Sequence, residues 1–352
     1  MLQWLKAAFG GRTRPARQSG SVRPAPGHAP SRRSRSRPAP PDVDGIYHGW
    51  LLGVNSPSDG PLTPLEQTLI ASLDELADSD LSDSSLVPRV PAVLPGLMAD
   101  LRDEGASGRQ LARQIAQDAG LVGEVIRVAN SPYYRTRVRI ASLEQAVTLL
   151  GRNGLRQLVA RVAFKPLLNL HSGHFVGLAA PRVWAQAEAC AVAGRCLSHG
   201  AGTDGFEAYL CGLLQNVGVI AALRTIDRAY DGSDVPRSTP FHHAFATHSR
   251  LLSARILEHW DLPASIRRAL ADQAGAPGRR RSRLGELLHA ADVISKLRLL
   301  ADNGVVDDGP GQVSAALDGR WAEAVARCYT TLAGSPPADS GDWNRPQDPT
   351  GT

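Results

Sequence analysis

Apolar and polar positions alternate with a helical period over most of the chain. Thr63-Pro64-Leu65-Glu66 reads as a capping box with proline at the first helical position, and Leu65, Leu69, Leu73 and Leu76 follow at helical spacing. Pro88, Pro91 and Pro95 punctuate the next segment, whose stripe is Leu94, Leu97, Met98 and Leu101. Ser107 with Gln110 opens a helix through Leu111 and Ile115, carried on beyond Asp118 by Leu121, Val125 and Val128. Ser142 with Gln145 caps a helix that stops at Gly151, and Leu155, Leu158, Val159 and Val162 continue on another. Further stripes lie over 183–198, 207–224, 241–260, 263–273, 283–300 and 313–332. No alternating run bounded by hairpin turns is present, so the pattern predicts an all-α fold. The expected architecture is two packed helical lobes, 63–180 and 181–333.

The flanks lack this period. Residues 11–41 are Arg, Pro, Ser, Gly and Ala, a composition that buries too little surface to offset chain entropy. Residues 1–62 are therefore expected to be a disordered arm and linker, and 334–352 a loose tail. Charge sharpens the division. Of 39 Lys and Arg residues, nine lie in 1–40, where there is no Asp or Glu, among them Arg12, Arg14, Arg17, Arg32, Arg33, Arg35 and Arg37. That leaves 30 basic residues against 34 acidic ones in 41–352, a net charge of −4. An acidic body is a poor platform for nucleic acid, so any nucleic acid or anionic surface would be met by the arm.

Four cysteines without a C-x-x-C pair exclude a disulfide scaffold and a zinc ribbon, and they fit a reducing cytoplasm. No run of about 18 apolar residues is present, so no membrane-spanning helix is expected. Dinucleotide-binding, phosphate-loop, zincin and nucleophile-elbow motifs are all missing. His171 and His174 read as loop residues, and His242, His243 and His248 as residues of a helix face. Residues 142–162 have the outline of a helix-turn-helix, in which Arg152, Arg156 and Arg161 would meet phosphates. Leu155, Leu158, Val159 and Val162, however, leave the second helix little surface to offer, and a packed hairpin is the better reading.

Four segments carry a family likeness: Val87-Pro88 through Pro91, Leu111–Asp118, Val128-Ala129-Asn130-Ser131-Pro132-Tyr133-Tyr134, and Ile140–Gly151. Together they resemble the HDOD family, a noncatalytic relative of the HD metal-dependent phosphohydrolases, over roughly 87–300. By that likeness, Gln215 and Asn216 replace the His-Asp pair of an HD metal site. Gln186 lies near the first histidine of that site, and Asp272 and Gln273 stand at its paired histidines. His248 and Asp292 match retained positions. Amides lack the charge that a hard divalent ion requires, so a degenerate site is expected, with no metal and no cofactor. Asn130 and Ser131 end a helix before Pro132, Asn130 being able to take a left-handed cap. Tyr133 and Tyr134 supply aromatic bulk there, either as a core wedge or, with Asn130, as a partner or ligand surface.

The resemblance implies a non-enzymatic signal-transduction module. It would bind a partner such as a kinase, a receiver or a cyclic-dinucleotide enzyme, or else a small regulatory ligand. Two alternatives stand beside it. One is a phosphohydrolase with a rebuilt site using His248, His289 and Asp292; the other is a nucleic-acid regulator acting through the arm.

Overall fold

The computed structural model describes residues 41–54, 56–81, 85–90, 94–96, 108–131, 134, 138–168, 173–232, 234–276, 278–317 and 321–333. Tyr133, His171, the seven named arm arginines and the 334–352 tail fall outside them. Among the described residues the secondary structure is helical, apart from one isolated parallel bridge between Ser58 and Ser238.

The first helix is a correction. Residues 42–62 were expected to be linker, yet α1 spans Val43–Leu51. Asp42 caps it by accepting from the Gly45 N–H at 3.0 Å, and Tyr47, Trp50, Leu51 and Leu52 are buried in the main core. Burial of this apolar run outweighs the helix cost of Gly45 and Gly49.

Helix α2, Pro64–Asp78, starts as predicted. Thr63 accepts from the Glu66 N–H at 3.2 Å, and Glu66 accepts from the Thr63 N–H at 2.8 Å. The second oxygen of Glu66 accepts from the Ser238 N–H at 2.8 Å, tying this start to that of a later helix. Helices α3 (Gly108–Ile115) and α4 (Ala119–Ala129) follow, the latter capped by Asp118.

Residues Leu143–Leu168 form α5, bent at Gly151, where φ is 68° and ψ is 176°. This backbone region is open essentially to glycine alone, which explains the predicted stop. Beyond the bend Leu155, Leu158, Val159 and Val162 are buried together with Arg156 and Arg161, so the hairpin packs and those arginines do not face outward.

Helix α6, His174–Ala201, forms the centre of the fold. It runs straight through the expected lobe boundary at 180/181, so no break in the chain marks that point. Packed on it are α7 (Gly205–Leu214), α8 (Val217–Ala229), α11 (Arg283–Asp302) and α13 (Ala322–Ala333). Around these lie α9 (Thr239–Glu258), α10 (Ala264–Ala274) and the short α12 (Pro310–Ala316). Gly205–Ala229 is long and apolar enough to cross a membrane by composition, with a mean hydropathy of 1.5. Its most apolar 18-residue window is 89 % buried inside the protein, and the stretch is interrupted at Gln215–Asn216, so its apolar character belongs to the core.

Candidate functional site

The turn between α7 and α8 places two amides inside the fold. Gly218 makes this possible, because a Cβ there would lie 2.2 Å from the Ser249 carbonyl oxygen. The close approach lets the Ser253 hydroxyl donate to the Gln215 carbonyl and accept from the Gly218 N–H at 2.9 Å. Gln215 and Asn216 are thereby held, buried, against α6 and α11.

Gln186 on α6 is the hub of what they meet. Its amide donates to the Asp292 carboxylate at 2.8 Å and to the Ser295 hydroxyl at 3.0 Å. Its carbonyl accepts from the Asn216 amide. The Gln215 amide donates to the same Asp292 oxygen at 3.1 Å. The other Asp292 oxygen accepts from Lys296 Nζ at 2.7 Å, one turn along α11.

Helix α1, unforeseen in the sequence, closes the site. Lys296 Nζ also donates to Asp44 Oδ1 at 2.8 Å, while Arg250 on α9 donates to Asp44 Oδ2 at 2.7 Å. The His48 ring bonds the Asp44 backbone carbonyl at 2.8 Å. A carbonyl only accepts, so Nδ1 carries the proton. The Lys296 side chain is only 5 % exposed. Burial opposes its charge, but the carboxylates of Asp292 and Asp44 prevail and hold the ammonium above its ordinary pKa. Burial likewise opposes ionisation of Asp44, yet Lys296 and Arg250 hold its carboxyl well below the usual range. Burial, reinforced by the Lys296 charge, pushes His48 down to about 3, leaving a neutral imidazole.

The space left in this cluster is a cavity of about 30 Å³, lined among others by His48, Gln215, Asn216, Gln273 and Asp292. That is room for a water or two. A divalent cation does not fit the donors. Two side-chain amides and an ammonium donate to Asp292, and an ammonium has no lone pair to give. Among the described residues no group of three His, Cys, Asp or Glu side chains is arranged to hold a metal.

The structure therefore brings together Gln186, Gln215, Asn216, Gln273 and Asp292. Two expected members lie elsewhere. His248 points to α2, its Nε2 bonding Asp74 at 2.7 Å and its Nδ1 the Ala244 carbonyl at 2.7 Å. Asp272 accepts from the Ser282 N–H at 2.6 Å and so shapes the start of α11. Asp44, His48, Arg250 and Lys296 were missed. The i, i+4 pair Asp292–Lys296 was visible in the sequence, but such pairs usually lie on solvated faces.

Asn130, expected as a left-handed cap, is not one. Its φ is −87°, and its side chain clamps the following loop. The Asn130 amide donates to the Ile126 and Ile140 carbonyls at 2.8 and 2.7 Å, and its oxygen accepts from the Ile140 N–H at 2.8 Å. Tyr134 is half-buried and packs against the core.

The HDOD domain family profile matches residues 87–275. No curated protein gave a match. Solved structures of similar fold include an HDOD domain protein of unknown function from Geobacter sulfurreducens (TM-score 0.53, 18 % identity, covering 76 % of this chain and 98 % of that one). A protein from Shewanella amazonensis SB2B named as a candidate phosphohydrolase has TM-score 0.50 and 20 % identity, covering 76 % and 93 %. A protein from Marinobacter aquaeolei VT8 named as a candidate signal transduction protein has TM-score 0.51 and 18 % identity, covering 80 % and 67 %. At these identities the likeness is one of fold.

Proposed function

The chain belongs to the HDOD domain family, and from that premise we propose that it is a non-catalytic, cytoplasmic signal-transduction module that binds a partner protein or a small regulatory ligand. One observation carries the non-catalytic reading. The Lys296 ammonium lies between Asp44 and Asp292, at 2.8 and 2.7 Å, so a resident side chain supplies the positive charge beside the retained carboxylate. A cavity of about 30 Å³ supports it, since that volume admits water and excludes a phosphoester. With no chemistry to perform, such a site serves as a polar keystone joining α1, α6, α8 and α11. The proposed partner class is a kinase, a receiver or a cyclic-dinucleotide enzyme.

The test combines elemental analysis of the purified chain with phosphomonoesterase and phosphodiesterase assays, followed by co-purification from the native cell. No stoichiometric metal and no turnover are expected. Stoichiometric Mn, Fe or Zn, together with turnover abolished by Asp292→Asn, would overturn the reading.

A further inference from the structure

A second, larger cavity of about 700 Å³ opens beside the N-terminal half of α11 and is independent of the buried cluster's role. We propose that it is a binding site for a nucleoside phosphate. Its lining includes Arg279, Arg280, Arg281, Glu286, His289 and Trp321.

Charge gives the first reason. Among the described lining residues three guanidiniums stand beside one carboxylate, in a body whose net charge over 41–352 is −4. None of the three arginines is ion-paired to another described residue, and Arg281 Nε is buried without a hydrogen-bond partner among them. A buried, unmet donor is costly unless something fills its place. A guanidinium offers a planar fork of donors that matches phosphate oxygens. A run of arginines on an open face would simply be solvated. Here they line a hollow whose volume lies within the range of small-molecule sites.

Trp321 gives the second reason, and it points to an aromatic component. The residue is 37 % exposed although aromatics are only 5 % of the chain. Its backbone has φ 53°, which a bulky side chain rarely adopts. A strained and exposed indole is poor core but a good stacking platform, because every nucleobase has a π-face. His289 is half-buried between this cavity and the Lys296 cluster. Burial and the neighbouring Arg281 lower its pKa, so the neutral ring offers one donor and one acceptor to a base or sugar. The combination of phosphate forks, a stacking face and a neutral imidazole fits a nucleoside phosphate better than a bare anion or a bare base.

The test is calorimetric titration of the full chain with GTP, ATP, guanosine and inorganic pyrophosphate, with folding of each variant checked by circular dichroism. At least one nucleotide should bind, with guanosine and pyrophosphate each at least tenfold weaker. Arg280→Gln combined with Arg281→Gln should weaken the nucleotide at least tenfold. Trp321→Ala should weaken the nucleotide about fivefold or more and leave pyrophosphate unchanged, a split that general damage to the site would not give. Changing Arg32, Arg33, Arg35 and Arg37 together to Ser in the full chain should leave binding intact. The proposal is overturned if neither nucleotide binds, if pyrophosphate binds as well as the nucleotides, or if binding follows the arm arginines and ignores Arg280, Arg281 and Trp321.

Discussion

Helix α11 borders two charged regions that differ in how their charge is met. Toward its C-terminal half, Asp292 and Lys296 bond each other at 2.7 Å, the Gln186 and Gln215 amides donate to Asp292, and Asp44 accepts from Lys296, around a water-sized cavity. Toward its N-terminal half, Glu286 and His289 border a cavity of about 700 Å³ where three arginines find no ion-pair partner among the described residues. Both regions are polar, and family likeness drew attention only to the first. The difference lies in the balance of charge. A cluster whose charges are paired within it contributes specificity and has no surplus charge to offer a ligand. A cluster with surplus charge of one sign and open space still has bonds to make.

The largest expected effect comes from breaking the first region. Lys296→Met leaves Asp44 and Asp292 facing each other in a largely dry site, and should cost about 3–5 kcal/mol in denaturant unfolding. Adding Asp292→Asn should restore at least half of that loss. A single variant within about 1 kcal/mol of the parent would mean that the carboxylates are met by solvent.

Gln186→Leu removes the hub amide while keeping a similar volume. It strips one donor from Asp292 and the acceptor of the Asn216 amide, and a loss of about 2–3 kcal/mol is expected in the same measurement. Full stability in Gln186→Leu would show the amides to be passive filler.

The pH dependence provides a third test. His48 has a folded pKa of about 3 against an ordinary value of 6.5, so between those values the unfolded chain binds the proton and the folded chain does not. Stability should therefore fall as pH falls below 6.5. His48 alone should account for about 2 kcal/mol between pH 7 and pH 5. His48→Gln should flatten that part of the profile, and an unchanged slope would place the titration on other groups. Lys296, with its pKa raised, works on the alkaline side. Its contribution is complete below 10.5 and is lost as pH rises through the higher folded value.

The smallest effect is expected from the second region. Arg280→Gln should change stability by no more than about 0.5 kcal/mol, since this exposed side chain has no ion pair to lose. A loss above about 1 kcal/mol would show that the cavity's charge serves the fold after all.

Local signals were legible wherever they act within one or two turns. The Thr63–Glu66 box and the Ser142 start appear as hydrogen bonds, and Gly151 breaks its helix with a positive φ. Helix α1 was missed although Asp42 and the run from Ile46 to Leu52 announce it; Pro40, Pro41 and two internal glycines made the stretch read as linker. Asn130 was recognised as a helix end, but its clamp on Ile140 spans ten residues and depends on how the intervening loop closes. His248 was assigned by position in a family pattern, and the turn of α9 carries it to Asp74 instead.

The sequence by itself determined the helical class, several helix starts and stops, and the contrast between a basic first 40 residues and an acidic remainder; Gln215 and Asn216 stood out only through the resemblance to an HD metal site. The former follow from composition, from 3.6-residue periodicity and from capping, all of which act over short stretches of chain. Only the tertiary structure decided that Lys296 is the cation of that site, that Asp44 and His48 close it, and that Arg279–Arg281 share a cavity with Trp321. Those facts depend on burial and on neighbours far apart in the chain. An Asp–Lys pair one turn apart reads the same whether solvated or buried, until Asp44, 252 residues away, comes within 2.8 Å of the ammonium and the surrounding core excludes water.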